Sequence, residues 1–334
     1  MNHLLTMMKK QIQDTNLKRI VFPEYQDERI LKAANRLAIE RLIKPIFIGR
    51  KEEVDKQASQ VGISSQHYGV ICPQSYQASD KLVNLLLQRR GGRLTLEKAQ
   101  ELLKDPYYFS AMLVYAGEAD GLVSGASVTT SKAARPVLEV MQAKAGMKKV
   151  SAAYVLVRED EHYLFADCAI QIEPTSEDLV EITLQSAETA KIFQLQPKIA
   201  MLSFSTKGSA QSTETEKIVA ALKRVKSLAP DLSIDGEVQF DAAYMPALAA
   251  KKEAKLTIDG AANVFIFPNL AAGNISCKIA ERLGNFQAIG PLIQGLNQPV
   301  NLLSRTCSEE DVYSVTLYTA MQASILTEQR RNLS

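Results

Sequence analysis

Short apolar runs alternate with amphipathic stretches along most of this chain, and this alternation limits its possible folds more than any other feature. Residues 19–23 and 45–49 have the composition of buried strands, and residues 28–42 and 52–61 have the periodicity of helices. Strands that alternate with helices indicate βαβ units and a mostly parallel sheet. The same alternation returns in the second half of the chain, where residues 242–252 are among the stretches with helical periodicity, so we predict an α/β fold.

One segment departs from this alternation. Residues 150–157 and 163–167 are apolar runs on either side of a charged turn. Two such runs joined by a short polar turn are typical of an antiparallel hairpin. The predicted architecture is therefore a mostly parallel sheet with an antiparallel hairpin added.

The length of the chain, 334 residues, favours two packed domains over one core. A plausible boundary is the glycine and lysine segment 146–149, just before the hairpin. The last periodic stretch, about 309–328, is expected to return to the first domain. We therefore predict a discontinuous first α/β domain, 1–147 plus 303–334, and a second α/β domain, 148–302.

Composition excludes several classes of function. Hydrophobic residues make up 46%, charged residues 23%, and the net charge is +2, so neither nucleic acid nor an anionic membrane is indicated. Three histidines and four widely spaced cysteines argue against a Ser-His-Asp triad, a metal site or a redox motif, and favour reduced thiols in the cytoplasm. We expect no signal peptide, and no apolar run approaches the roughly 18 residues that a membrane span requires.

The segment 304–311 combines a hydroxyl, a fixed cation and a carboxylate at a predicted helix start. Arg305 can grip a phosphate through two parallel hydrogen bonds, and Asp311 lies in the first helical turn. A simpler interpretation competes with this one. Ser308 and Asp311 fit the S/T-x-x-D/E capping pattern, which on its own is the more common explanation.

Other strand-to-helix loops carry groups suited to anions. The segment 123–131 offers Gly125 and the hydroxyls of Ser127, Thr129 and Thr130, followed on the predicted helix by Arg135. An ordinary helix cap explains this loop equally well.

Two further loops and one basic cluster belong to the same group. They are 204–209 with Lys207 and Gly208, 267–274 with Asn269 followed by Lys278, and 89–93 with Arg89 and Arg90. By themselves these segments are adequately explained by a polar surface loop, a turn with its caps, and cations on helix carbonyls.

Taken together and in order, seven segments resemble the phosphate acetyl/butyryltransferase family, most closely phosphate acetyltransferase. They are PExxDER (23–29), ADGLVSGA (119–126), TT with RP (129–130 and 135–136), SFSTKGS (203–209), DGExQFDAA (235–243), FPNLxxGN (267–274) and LSRTCSEED (303–311). Each segment is weak alone, but their common register over nearly the whole chain is specific.

The resemblance implies two α/β domains of the isocitrate/isopropylmalate dehydrogenase type, an active site in the cleft between them, and a homodimer. It implies reversible acetyl transfer between coenzyme A and inorganic phosphate, with coenzyme A or acetyl-CoA as a substrate and no permanently bound cofactor or metal. The family's proposed base corresponds to Asp311, and its Ser-Arg pair for the acyl phosphate corresponds to Ser304 and Arg305. Thr306 stands where the family often has glycine.

Further family positions that hold coenzyme A or phosphate map to Arg135 and to Arg89, with Arg90 as the neighbouring alternative. The remaining predicted substrate-binding residues are Ser127, Thr129, Thr130, Lys207, Gly208, Asn269 and Lys278. We interpret Cys307 as a buried structural thiol, so a direct transfer within a ternary complex is expected. The alternatives are a butyryl- or other short-chain acyltransferase, a decarboxylating dehydrogenase that shares the fold, and a non-catalytic ligand-sensing module.

Overall fold

A computed structural model of the chain describes residues 3–13, 16–251, 256–258 and 260–333. The chain divides into two compact units: unit 1 comprises Met1–Gln142 and Leu296–Ser334, and unit 2 comprises Ala143–Gly295. In chain order the helices are α1 (His3–Gln13), α2 (Glu28–Ile39), α3 (Lys51–Gln60), α4 (Ser79–Arg90), α5 (Leu96–Leu102), α6 (Pro106–Tyr115), α7 (Thr130–Val140), α8 (Ser176–Ile192), α9 (Thr213–Leu228), α10 (Phe240–Tyr244), α11 (Pro246–Lys251), α12 (Leu270–Arg282) and α13 (Glu309–Leu333). The strands are β1 (Lys18–Phe22), β2 (Ile43–Ile48), β3 (Gly69–Ile71), β4 (Gly121–Ser124), β5 (Ser151–Arg158), β6 (Glu161–Ala166), β7 (Lys198–Leu202), β8 (Ser233–Val238), β9 (Val264–Ile266), β10 (Gln287–Gln294) and β11 (Val300–Leu302).

Unit 1 is built on a sheet with the strand order β11-β4-β1-β2-β3, and all its pairings are parallel. Its central strand β1 is almost wholly buried, with Phe22 fully enclosed, as expected for a parallel sheet covered on both faces. Because β11, β4 and β1 are parallel neighbours, the loops that follow them emerge at the same edge of the sheet. That edge is where α/β sheets bind ligands.

Unit 2 has a sheet of order β10-β5-β6-β9-β7-β8. Strands β5 and β6 form the predicted hairpin, with Ala153 opposite Ala166, and β10 pairs antiparallel on the outer side of β5. The pairs β6–β9, β9–β7 and β7–β8 are parallel. The predicted α/β class, with a mostly parallel sheet and an antiparallel hairpin, is therefore confirmed.

One helix that periodicity predicts at 242–252 is wrong. The segment forms two short helices, α10 and α11, because Pro246 lacks the amide hydrogen that would continue the first. Met245, just before the proline, has extended backbone angles, which proline imposes on its predecessor. The predicted final residue, Lys252, lies outside the described residues.

Two strands of unit 1 are absent from the sequence prediction. β3 and β11 have three residues each, too few to show the alternation that identifies a strand. Both are defined by their parallel neighbours, β2 and β4. Among the described residues, no helix is both long enough and apolar enough to cross a membrane.

Candidate active site

Three loops of unit 1 meet at the carboxyl edge of its sheet. They follow β1 (residues 23–27), β4 (125–129) and β11 (303–308), and two of them carry predicted site residues. The backbone links the second and third loops directly, because Leu303 N–H donates to the Ser124 carbonyl at 2.8 Å. A side chain at Gly125 would meet the Leu303 carbonyl at 2.9 Å, and φ there is +107°. Glycine is therefore required where the two loops touch.

The loop after β4 is wrapped around one buried carboxylate. Glu24, only 2% exposed, accepts hydrogen bonds from the backbone N–H groups of Gly125 (2.7 Å), Ala126 (3.1 Å) and Ser127 (2.9 Å). The Tyr107 hydroxyl donates to the same carboxylate at 3.0 Å. These backbone donors are consequently occupied inside the protein. The groups of this loop that can still bind an anion are its hydroxyls and the start of α7.

The three hydroxyls of that loop have different environments. The Ser127 hydroxyl donates to Asp27 at 2.8 Å, and Thr129 caps α7 by accepting from the Lys132 N–H at 3.4 Å. Thr130, the first residue of α7, is exposed. Thr129 therefore serves as the helix cap that the simpler interpretation predicted. The start of α7 remains accessible to solvent at Thr130.

The guanidinium of Arg29 contacts both the loop after β4 and the loop after β11. Arg29, at the start of α2, donates to the carbonyls of Arg305 (3.0 Å) and Cys307 (2.6 Å) on one side. On the other side it donates to the Ala126 carbonyl at 2.8 Å. Asp27 orients it through bonds of 3.0 and 2.7 Å. From the sequence we assigned no role to Glu24, Asp27 or Arg29. Charged side chains directly after a buried strand nevertheless indicate groups at the ligand-binding edge of an α/β sheet.

The segment 304–311 forms the predicted capping box. The Ser308 N–H donates to the Asp311 carboxylate at 2.8 Å, and the Asp311 N–H donates to the Ser308 hydroxyl at 3.1 Å. The simpler interpretation of this segment is therefore correct as far as it goes. The bond from the Ser308 N–H occupies Oδ2 of Asp311. No other hydrogen bond to this carboxylate is found within the described part of the chain.

Ser304 and Arg305 lie in the turn ahead of that helix. The Ser304 hydroxyl is 3.0 Å from the Thr306 hydroxyl, and the Ser304 carbonyl accepts from the Cys307 N–H at 2.9 Å. The Arg305 side chain is exposed, and among the residues that the structure describes its guanidinium has no hydrogen-bonding or ionic partner. An unneutralised guanidinium beside a helix N-terminus is well suited to an anionic ligand.

Cys307 is the buried residue of this turn. Burial raises the pKa of its thiol to about 11, although the nearby Arg29 guanidinium acts in the opposite direction. At neutral pH the thiol is therefore protonated and a poor nucleophile.

The other predicted cations of unit 1 are already paired. Arg135 lies on the exposed side of α7 and donates to Glu139, one turn later, at 2.8 Å. Arg89 donates to the carbonyls of Val140 and Met141, both at 2.7 Å, at the end of α7. Arg89 therefore satisfies carbonyls at the end of a helix, as the simpler explanation predicted. The carbonyls belong to the neighbouring helix α7.

In unit 2 the loop after β7 is tied to acidic residues. The Lys207 ammonium forms an ion pair with Asp235 and donates to the Gly236 carbonyl at 3.2 Å. The Gly208 N–H donates to Glu237 at 2.7 Å, and the Ser205 hydroxyl donates to the same carboxylate at 2.9 Å. Lys207 and Gly208 therefore face carboxylates inside unit 2.

Asp235 is completely buried. Burial alone would raise its pKa, but hydrogen bonds from Lys207 and from the N–H groups of Thr257 and Gly236 outweigh this effect. The net result is an Asp235 pKa below its usual range, so the residue is ionised at neutral pH in the folded protein.

The remaining two predicted residues of unit 2 lie on α12. Asn269 is its N-cap and accepts from the Ala272 N–H at 3.0 Å. Lys278 is exposed and 3.2 Å from Glu281, a solvated pair on the helix surface. The cap is a structural role, and the exposed lysine remains accessible to solvent.

Comparison with known proteins finds relatives over almost the whole chain. Residues 3–320 match the model of the family described as Phosphate acetyl/butaryl transferase. A phosphate acetyltransferase from Bacillus subtilis (strain 168) is 49% identical over 323 residues, covering 97% of this chain and 100% of the relative.

Solved structures give the same result. A phosphotransacetylase from Streptococcus pyogenes superposes with a TM-score of 0.92 and 47% identity, covering 96% of this chain and 98% of the other. EutD phosphotransacetylase from Staphylococcus aureus has a TM-score of 0.89 and 45% identity, over 96% and 98% of the two chains. The fold and the relatives define the chain as an α/β acyltransferase. It belongs to the phosphate acetyl/butyryl transferase family.

Proposed function

We propose that this enzyme transfers an acetyl group reversibly between coenzyme A and inorganic phosphate, with Arg305 holding the phosphate side of acetyl phosphate. The observation that carries the proposal is the environment of Arg305. Four other predicted site cations, Arg135, Arg89, Lys207 and Lys278, each have a partner, whereas Arg305 has none among the described residues. The similarity to phosphate acetyltransferases over almost the whole chain supports the same activity.

The transfer we propose is direct. The sulfur of coenzyme A attacks the carbonyl carbon of acetyl phosphate, the bond from that carbon to the bridging oxygen breaks, and its electron pair leaves with the phosphate. Asp311 takes the thiol proton. Ser304 donates a hydrogen bond to the developing oxyanion, and Arg305 stabilises the charge of the departing phosphate.

Proton transfer is the demanding part of this scheme. A free thiol has a pKa near 8.5 and an ordinary aspartate one near 3.9, so the transfer is uphill by roughly 6 kcal/mol in water. The positive end of α13 and the Arg305 guanidinium can lower that cost by stabilising the thiolate. The capping box supports this role, since it fixes the Asp311 carboxylate at the helix start and uses only one of its oxygens.

The protonated state of Cys307 supports a ternary complex. A covalent acetyl-enzyme would need a thiolate, and the pKa of about 11 leaves Cys307 almost entirely as the thiol at neutral pH. Its burial and its contact with Arg29 through the Cys307 carbonyl fit a structural residue.

Two further proposals concern the whole molecule. We propose a homodimer, which the large aliphatic side chains exposed on α12 and at its C-cap support: Ile275, Ile279 and Leu283 recur every four residues. We also propose a cytoplasmic location, which fits four cysteines that are all free thiols. Sedimentation of the purified protein measures its oligomeric state, and fractionation of cells measures its location.

The test of the main proposal mixes the enzyme with acetyl phosphate and coenzyme A and follows thioester formation. We expect acetyl-CoA to form, and the reverse reaction to consume acetyl-CoA when phosphate is added. Propionyl and butyryl phosphate, tested in parallel, show the acyl preference. Absence of thioester with all three acyl phosphates would refute the proposed function.

A further inference from the structure

Two loops that carry proposed site residues come from different parts of the chain. The loop after β4 supplies Ser127, Thr129 and Thr130, and the segment before α13 supplies Ser304 and Arg305. For these groups to act on one substrate, the two segments must keep a fixed spacing. Misplacement of about 1 Å can cost about 100-fold in rate.

Arg29 meets the geometric requirement for fixing that spacing. Its Nη1 donates to the carbonyls of Arg305 and Cys307, and its Nη2 donates to the carbonyl of Ala126. The acceptors are backbone atoms, so the guanidinium positions the chain itself. The carbonyl of Arg305 belongs to the residue whose side chain is proposed to hold phosphate.

Two carboxylates complete the arrangement. Asp27 holds Nε and Nη2 of Arg29 in a forked pair at 3.0 and 2.7 Å, which fixes the plane of the guanidinium. Glu24 fixes the other end of the loop through its three backbone N–H donors. Both residues belong to the segment 23–29 after β1, which is adjacent to β4 in the sheet.

We infer that Arg29 is a positioning residue of the transfer reaction, tying residues 126–127 to residues 305–307 so that both segments present their side chains to one substrate. The inference rests on the proposed function. Lysine cannot replace this arginine, because an ammonium is a point donor and cannot span three carbonyls and a carboxylate in one plane.

The chain offers a matched control in Arg19, on β1. Arg19 makes the same type of fork, to Asp120 at 3.1 and 3.1 Å, together with one bond to the Gly117 carbonyl at 3.0 Å. Its side chain is 39% exposed, close to the 31% of Arg29. It lies at the start of β1, the opposite end of that strand from the three loops.

The experiment compares Arg29→Lys with Arg19→Lys. We expect kcat of Arg29→Lys to fall about 100-fold, and we expect any rise in its KM to be smaller than this loss. Arg19→Lys should keep the kcat of the wild type. If Arg29→Lys does not fold, Asp27→Asn, which loosens the same guanidinium, should give a smaller kcat loss of the same kind. A kcat of Arg29→Lys close to wild type, or an equal loss in Arg19→Lys, would overturn the inference.

Amide hydrogen exchange tests the positioning without using activity. In Arg29→Lys, exchange should become faster in peptides covering 125–129 and 303–308 together, and in Arg19→Lys in neither. Faster exchange in only one segment, or in none, would show that Arg29 does not tie them. A wild type that transfers no acetyl group would refute the proposed function, whereas the exchange result would still decide whether the tie exists.

Discussion

The loop before α13 in unit 1 and the loop after β7 in unit 2 look alike in sequence, but the structure treats their cations in opposite ways. Each follows a short strand and combines hydroxyls with one basic residue. The Arg305 guanidinium has no partner among the described residues, whereas the Lys207 ammonium is paired with the buried Asp235. The same composition therefore produces an accessible cation in one loop and an internal ion pair in the other.

The difference arises from where the anchoring groups lie. In unit 1, Glu24 and Arg29 hold the loops through backbone atoms, and the Arg305 guanidinium takes no part in these contacts. In unit 2, the side chain of Lys207 is itself one of the anchors. A polar loop is a good candidate for ligand binding when its fold is secured by groups other than its charged side chain.

Asp311→Asn gives the largest expected effect in the comparison. Asparagine can still accept the Ser308 N–H, so the cap persists, but it cannot take a thiol proton. We expect a kcat loss of about 10³-fold, with little change in KM, in the transfer assay. Near-normal kcat with lowered stability would show that Asp311 serves only as a cap.

The two loop glycines sharpen the comparison through stability. Gly125→Ala would place a methyl group against the Leu303 carbonyl at a positive φ, and we expect a loss of about 3 kcal/mol in the free energy of unfolding. Gly208 also has a positive φ, +83°, but nothing lies within 4 Å of an added Cβ, so Gly208→Ala should cost about 1 kcal/mol. Urea unfolding of both variants measures the difference, and equal losses would contradict the tight contact at Gly125.

Lys207→Gln tests the buried ion pair. Removing the ammonium leaves the buried carboxylate with only the more distant Lys226 ammonium, 3.9 Å away, and since the Lys207 side chain is 32% exposed we expect a cost of only about 2 kcal/mol at pH 7. In the wild type the Asp235 pKa lies below its unfolded value, so its stabilising contribution is present above about pH 4 and is lost as the pH falls through the folded pKa. The stability difference between wild type and variant should therefore shrink as the pH falls below about 4.

Urea unfolding at several pH values provides the measurement for that variant. A matched control is Lys278→Gln, which removes an exposed cation from a solvated pair and should leave stability nearly unchanged at every pH. A constant stability difference for Lys207→Gln across this pH range would show that Asp235 does not depend on Lys207.

The sequence predicted those elements whose pattern is local. The hairpin at β5 and β6 is confirmed because its alternation and its turn lie within one short segment. The helix at 242–252 is wrong because periodicity outweighed Pro246, and β11 was missed because three residues carry no period of their own. The site shows the same limit: the capping box is a local motif and was predicted, whereas the role of Arg29 depends on residues 276 and 278 positions away.

By itself the sequence determined the α/β class, the capping box and, through motifs in common register, the resemblance to a family that the comparisons confirmed. Only the tertiary structure decided which charged groups are available to a ligand. Arg305, Lys207 and Arg89 are all cations in the sequence, but acceptor groups from other segments of the chain occupy the last two. The physical reason is that the availability of a charge depends on its partners and its burial, and both are set by contacts between distant segments.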